Sequence, residues 1–179
     1  MNRAGAPHDP QSLLNEAATR KHERFMKLAL KEAEVALSEG EIPVGAVIVS
    51  GDELIAKAHN QKELLKDPTA HAEIIAITQA AAALGRWRLA GTTLYITLEP
   101  CAMCAGAMVQ ARIPVVVFGA FDEKAGAAGS LMNLLADVRL NHQPEVISGF
   151  MAAESHQLLR AFFQNMRGNP IHGEVAEPG

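Results

Sequence analysis

Cysteine is scarce in this chain of 179 residues, which has two, Cys101 and Cys104. Two thiols three positions apart exclude the disulfide framework of a small secreted domain and point instead to metal or redox chemistry in a reducing compartment. Long hydrophobic runs are missing as well. No stretch approaches the roughly 18 uninterrupted apolar residues that a membrane helix requires, and the best runs, residues 43–49 and 113–120, have the length of strands. The N-terminal MNRAGAPHDPQS contains no apolar segment that could form a signal-peptide core, so the expected location is the cytoplasm. Excess positive charge is also absent: the net charge is −4 and the pI about 6.0, which excludes a protein that coats nucleic acid through bulk charge. The charge is unevenly spread, however, with +2 over residues 56–112 and −3 on either side. Both cysteines lie in the basic third.

What is present is an ordinary globular composition, 49% apolar and 20% charged, in a length that suits one domain. Residues 1–18 are rich in Pro, Gly, Asn and Ala without periodicity and read as a loose tail, residues 19–167 as a single domain, and residues 168–179 as a flexible C-terminal tail. From about Arg20 to Glu39, Phe25, Leu28, Ala29, Ala33 and Ala36 recur at helical spacing, and Gly40 follows as a stop. Val44 to Ser50 and Glu53 to His59 read as a hairpin turning at Gly51-Asp52. The turn Asp67-Pro68-Thr69 leads into a helix from Ala70 to Leu84, closed by Gly85. Alternation around Leu94, Ile96 and Leu98 predicts a strand, after which Pro100 opens a helix running through Cys101 to Ala111. Ile113 to Gly119 is apolar throughout, so its strand pairs in parallel across a right-handed crossover and has helices on both sides. Ala127 to Ala136 is expected as a short helix, Glu145 to Phe150 as a fifth strand, and Ala152 to Met166 as a final amphipathic helix. The fold class implied is α/β, a three-layer α/β/α domain around a five-stranded mixed sheet.

Two short stretches carry the chemistry: His71-Ala72-Glu73 at the start of one predicted helix and Pro100-Cys101-Ala102-Met103-Cys104 at the start of another. A helix N-terminus presents unpaired N–H groups and partial positive charge, which favours thiolate. Cys101 and Cys104 share a helical face, and His71 can add a nitrogen, so the three suit one zinc ion with a fourth position left to water. Such an open site lowers the pKa of its water from about 15.7 to about 7, and Glu73 beside it can shuttle the proton. Alone, His-Ala-Glu carries almost no information, and a Cys-x-x-Cys is a buried pair or a redox motif at least as often as a metal site. A structural zinc closed by His59, His142 or His156 is the main alternative, and a redox dithiol ranks last.

The pattern H-x-E…P-C-x-x-C is characteristic of zinc nucleobase deaminases. Together with GEIPVGAVIV, DPTAHAEI, TLYITLEPCAMCAGAMVQARI, VVFGAFDEKAGAAGSLMNLL and NHQPEV, it makes residues 22–167 resemble the bacterial tRNA-specific adenosine deaminases. That resemblance implies a cytidine-deaminase-like fold and hydrolysis of the wobble adenosine of a tRNA, an arginine tRNA in the first instance, to inosine with loss of ammonia. It implies one zinc ion per subunit on His71, Cys101 and Cys104, with hydroxide on the metal attacking C6 of a flipped base while Glu73 shuttles protons. It further implies substrate contacts from Asn60, which hydrogen-bonds the base, from Val44, which packs on it, and from Asp122, Ala72 and Pro100. Read without the resemblance, Asn60 is a turn residue, Val44 strand core and Asp122 a solvated acid. Expected RNA contacts are Arg88, Arg112, Phe162 and Phe163, at least one of the phenylalanines being core. Arg86, Lys62 and Lys66 could also meet phosphates, although each is more simply surface charge. The partners implied are the tRNA anticodon stem-loop and a second copy in a homodimer, with no membrane. In place of the basic run that often follows the phenylalanine pair, this chain has Gln164-Asn165-Met166-Arg167. A deaminase of free guanine or cytosine shares the zinc motifs, and a zinc-stabilised RNA-binding module without chemistry is the rival from another class.

Overall fold

A computed structural model describes residues 10–168. Helix α1 (Pro10–Ser38) opens it. It starts ten residues before the expected Arg20, so residues 10–18, anticipated as part of a loose tail, are helical. Residues 15–20 are exposed and therefore leave no apolar stripe in the sequence. Alanine propensity and a Glu16–Arg20 ion pair at 3.4 Å one turn apart favour the helix instead. The rest of the two expected tails, residues 1–9 and 169–179, lies outside the described residues.

Strands β1 (Gly45–Ser50) and β2 (Glu53–His59) form the expected hairpin, turned by Gly51 at φ +58°. A short helix α2 (Lys62–Leu65) and then α3 (Ala72–Leu84) follow. The chain continues through β3 (Thr92–Leu98), α4 (Ala102–Ala111), β4 (Val115–Ala120), β5 (Glu145–Ile147) and α5 (Ala152–Gly168). The sheet order is β2-β1-β3-β4-β5. Strand β1 is antiparallel to both β2 and β3, whereas β3, β4 and β5 are parallel. This is the expected five-stranded mixed sheet.

Alternation along the strands divides the core in two. Ala46, Ile48, Leu94, Ile96, Val116 and Phe118 pack on one face against α3 and α4. Val47, Val49, Tyr95 and Val117 pack on the other against Phe25, Met26 and Ala29 of α1 and Leu158 of α5. Successive side chains of a strand point to opposite faces, so a central strand buried on both must be apolar throughout. No helix among the described residues is long and apolar enough to cross a membrane.

Two expectations fail. Residues 127–136 form turns and an isolated bridge between Ala128 and Asn133 instead of a helix. Their alanines and leucines favour a helix, but Gly129 at φ +140° and the bonds of this loop to a buried carboxylate override that preference. Strand β5 ends at Ile147 rather than Phe150, because Gly149 at φ +74° turns the chain toward α5.

The topology fixes where a site can form. Strands β2 and β3 run in the same direction, both being antiparallel to β1, and β4 is parallel to β3. Their carboxyl ends therefore lie on one edge of the layer, where α3 and α4 begin, as ligand sites in open α/β sheets do. Helix α1 is held close to this edge at Gly45. A Cβ there would lie inside contact distance of the Ala29 carbonyl and 2.6 Å from the Ala33 nitrogen. Gly45→Ala should force α1 off the sheet and cost about 1–3 kcal/mol; a thermal melt matching the parent protein would contradict this packing.

Candidate metal and catalytic site

His71 is the N-cap residue of α3 and Cys101 that of α4, both with extended backbone and neither making a side-chain capping bond. Pro100 therefore precedes the cap and is not the first helical residue as expected. Freed from capping, the side chains converge: His71 Nδ1 lies 3.6 Å from Cys104 Sγ and 3.8 Å from Cys101 Sγ. The three donor atoms lie within 4.8 Å of one another, the one such His/Cys/Asp/Glu group among the described residues. A tetrahedral ion holding nitrogen at about 2.0 Å and sulfur at about 2.3 Å separates those donors by about 3.5 Å, so the residues fit such an ion as they stand.

Among the described residues no fourth ligand joins them. His59 is bonded to Glu39 at 3.0 Å and to Glu32 at 3.4 Å, His142 to the Ile113 carbonyl at 2.6 Å, and His156 is exposed. None of the three histidines of the closed-site alternative is therefore placed as a fourth donor. The Cys104 thiol and His71 donate toward Cys101, pushing that thiol down to about 3, and the same sharing of one proton pushes Cys104 up. The Cys101 bond also raises His71 above the usual imidazole range.

Glu73, the second residue of α3, is 4% exposed. Burial holds its carboxyl above the ordinary range. It lines a cavity of about 160 Å³ together with His71, Cys101, Val44, Asn60 and Asp122. Five of the expected residues therefore come together around Glu73, contributed by the end of β2, the starts of α3 and α4, the loop after β4 and the segment entering β1. Ala72 and Pro100 are buried but do not line this cavity.

The expected RNA contacts are spread more widely. Phe162 is half-buried and lines a second cavity, of about 520 Å³, which shares Ile42, Asn60 and Lys62 with the first. Its neighbour Phe163 is 50% exposed, and neither ring belongs to the core. Arg88 stacks on the exposed Trp87 ring, 4.4 Å from its centroid. The Arg112 guanidinium donates to the Val109 carbonyl at 2.7 Å and to Asn141 at 2.8 Å, so it serves the end of α4.

Two buried carboxylates beside the cavities were not singled out from the sequence. Glu99 is 2% exposed and accepts N–H groups from Asp122, Ala128 and Ser130, each at 3.0 Å, together with the Ser130 hydroxyl. It holds the loop that carries Asp122. Burial opposes its ionisation, but these bonds outweigh burial and hold the carboxyl below the ordinary range. Glu41 lies 1% exposed behind Asn60. The available signal was slight, a charge at the edge of an apolar stretch, Glu41 before Ile42-Pro43-Val44 and Glu99 after Ile96-Thr97-Leu98.

The chain belongs to the MafB19-like deaminases, whose family model matches residues 20–167. Among its relatives is the tRNA-specific adenosine deaminase of Bacillus subtilis, 54% identical over 145 residues covering 81% of this chain and 90% of that one. A solved tRNA:A34 deaminase, from work on A-to-I editing at the wobble position of transfer RNA, superposes with a TM-score of 0.74 at 45% identity, covering 76% of this chain and 99% of the other. A guanine deaminase from Nitrosomonas europaea shares the fold at 23% identity and a TM-score of 0.68, over 76% and 81% of the two chains.

Glu99→Gln removes a carboxylate that satisfies four donors and should cost about 1–3 kcal/mol at neutral pH. Because the folded state depresses this carboxyl, its contribution is present above the ordinary glutamate value of about 4.3 and is lost as pH falls through the lower folded value. The stability gap between variant and parent should therefore narrow on acidification; a pH-independent gap would contradict this role.

Proposed function

We propose that this protein is a zinc-dependent hydrolase that converts the wobble adenosine of a tRNA to inosine, with release of ammonia. The observation that carries this reading is that His71 and Cys101, which with Cys104 form the donor set, line one cavity together with Glu73 and Asn60. The tRNA-specific relative, 54% identical, supports tRNA over a free base as substrate.

In this reading His71, Cys101 and Cys104 hold one zinc ion. Zinc held there would supply a nucleophile at neutral pH by acidifying a water molecule. Glu73, whose burial favours its protonated form, takes the proton, passes it to N1 of the base and then protonates the leaving amine. Asn60 hydrogen-bonds the flipped adenine, Val44 packs on its face, and Asp122 faces the RNA from the rim of the cavity. Ala72, at the first position of α3, acts through its backbone rather than its side chain; Pro100 shapes the turn behind Cys101. Phe162, Phe163 and Arg88 offer rings and charge for splayed anticodon-loop nucleotides. Arg112, engaged with Val109 and Asn141, supports that surface from within the fold. The enzyme acts in the cytoplasm as a homodimer. An apolar cleft between α3 and α4, lined by Ile74, Ile77, Ala81 and the exposed Trp87, supports a second copy as its occupant.

Purified protein incubated with an arginine tRNA carrying adenosine at the wobble position should yield inosine, read by nucleoside mass spectrometry. Glu73→Gln should lower turnover by about 10²–10⁴-fold while metal content and RNA binding persist. Activity confined to free bases would overturn the tRNA reading, and full turnover by the Gln variant would favour a binding module. Cys104→Ser should lose zinc and melt at lower temperature, because binding free energy is in part folding free energy. Stoichiometric zinc in that variant, by elemental analysis, would remove Cys104 from the ligand set.

A further inference from the structure

The metal donors and the proton-carrying Glu73 leave Glu41 without a part in the chemistry. Its backbone N–H is bonded to the Ala36 carbonyl at 2.9 Å, so it hangs from the end of α1. It is 1% exposed, and each of its carboxylate oxygens has one partner. Oε2 accepts the Asn60 side-chain amide, Nδ2, at 2.9 Å; Oε1 accepts the backbone N–H of Leu64, the third residue of α2, at 2.7 Å. The backbone of Asn60 is pinned separately, its N–H to the Val44 carbonyl at 3.0 Å.

We infer that Glu41 is a positioning residue for base recognition: it fixes which way round the Asn60 amide faces the cavity. The inference rests on the reading of Asn60 as the residue that bonds the base. An asparagine amide has a donor end and an acceptor end of nearly the same shape, and a half-turn about its last torsion exchanges them. A carboxylate only accepts. Facing Glu41, the amide must therefore direct Nδ2 toward it, since the other orientation presses two oxygens together at a contact where both side chains are buried. One Nδ2 hydrogen is consumed by Glu41, and the rest of the amide, the second Nδ2 hydrogen and Oδ1, is held in a single orientation. A base that recognises this amide meets its donor and acceptor in fixed places. The bond to Leu64 couples the same carboxylate to α2, whose first residue, Lys62, also lines the cavity. Orientation and helix position are thus set by one side chain that touches no reacting atom.

Glu41→Gln keeps the shape and removes the selection, because the new side-chain N–H can donate to Asn60 Oδ1 and stabilise the flipped amide. The test is a double-mutant cycle of E41Q and N60A on the zinc-loaded enzyme with the tRNA substrate, at a temperature where all four proteins are folded by circular dichroism. N60A alone should lower kcat/KM. E41Q should lower kcat/KM on the order of tenfold in the parent background and by a factor of about one on N60A, with zinc content unchanged. An equal loss from E41Q in both backgrounds, accompanied by a lower melting temperature, would overturn the inference and leave Glu41 a purely structural cap of α2. An unaffected E41Q enzyme would overturn it as well. An N60A enzyme with parental kcat/KM would instead overturn the base-contact reading on which the inference stands. Should E41Q fail to fold, E41D, which keeps the charge but shortens the reach, enters the same cycle under the same criteria.

Discussion

The direction of the strands is the constraint on which the site depends. Because β1 is antiparallel to both of its neighbours and β3 pairs in parallel with β4, the chain leaves β2, β3 and β4 at the same edge of the sheet. A parallel pair needs a crossover helix of fixed hand, and that hand places α4 on the face already covered by α3. Two helix N-termini then stand side by side, each capped by a residue, His71 or Cys101, whose side chain is not used for capping. Residues 30 positions apart in sequence become donors within reach of one ion without any loop having to be long.

The walls of the cavity are less secure than its floor, since they come from connecting segments. Those segments are anchored by carboxylates taken out of water, which is stable only when every oxygen finds a donor. Glu99 gathers the loop after β4, and Glu41 joins the end of α1 to the end of β2 and the start of α2. Glu99 works mainly through backbone N–H groups, with the Ser130 hydroxyl beside them, and Glu41 through one backbone N–H and the Asn60 amide, so the segments carrying Asp122 and Lys62 are held at the cavity.

Much of this was legible in the sequence because the features that write it are local. Alternation marked β3, the turn at Gly51-Asp52 the β1–β2 hairpin and an unbroken apolar run β4. Runs of helix formers with their start and stop residues marked α3 and α4, the 3.6-residue period marked α5 and most of α1, and the H-x-E and P-C-x-x-C spacings gave the donor set. What was not legible was set by distant partners. Residues 127–136 have helical composition, yet their conformation is dictated by Glu99, more than 25 residues earlier. Residues 15–20 of α1 are exposed, so no periodicity marks them. Arg112 reads as a free cation in the sequence, but Asn141, 29 positions away, occupies it. Glu41 and Glu99 look like ordinary surface acids until the fold buries them.

The outer strands of the sheet carry an implication for how the molecule behaves when crowded. On one side, β2 presents Glu53 and Lys57, the latter paired with Glu32 of α1 at 2.8 Å; on the other, β5 offers three residues before the chain turns away. A charged border and a short one both resist pairing with a stray strand. Sheet-to-sheet fusion, the usual route by which half-open β layers precipitate, is closed to this chain at either margin, so an aliphatic-rich domain of this size can be kept at high concentration without the layer extending itself.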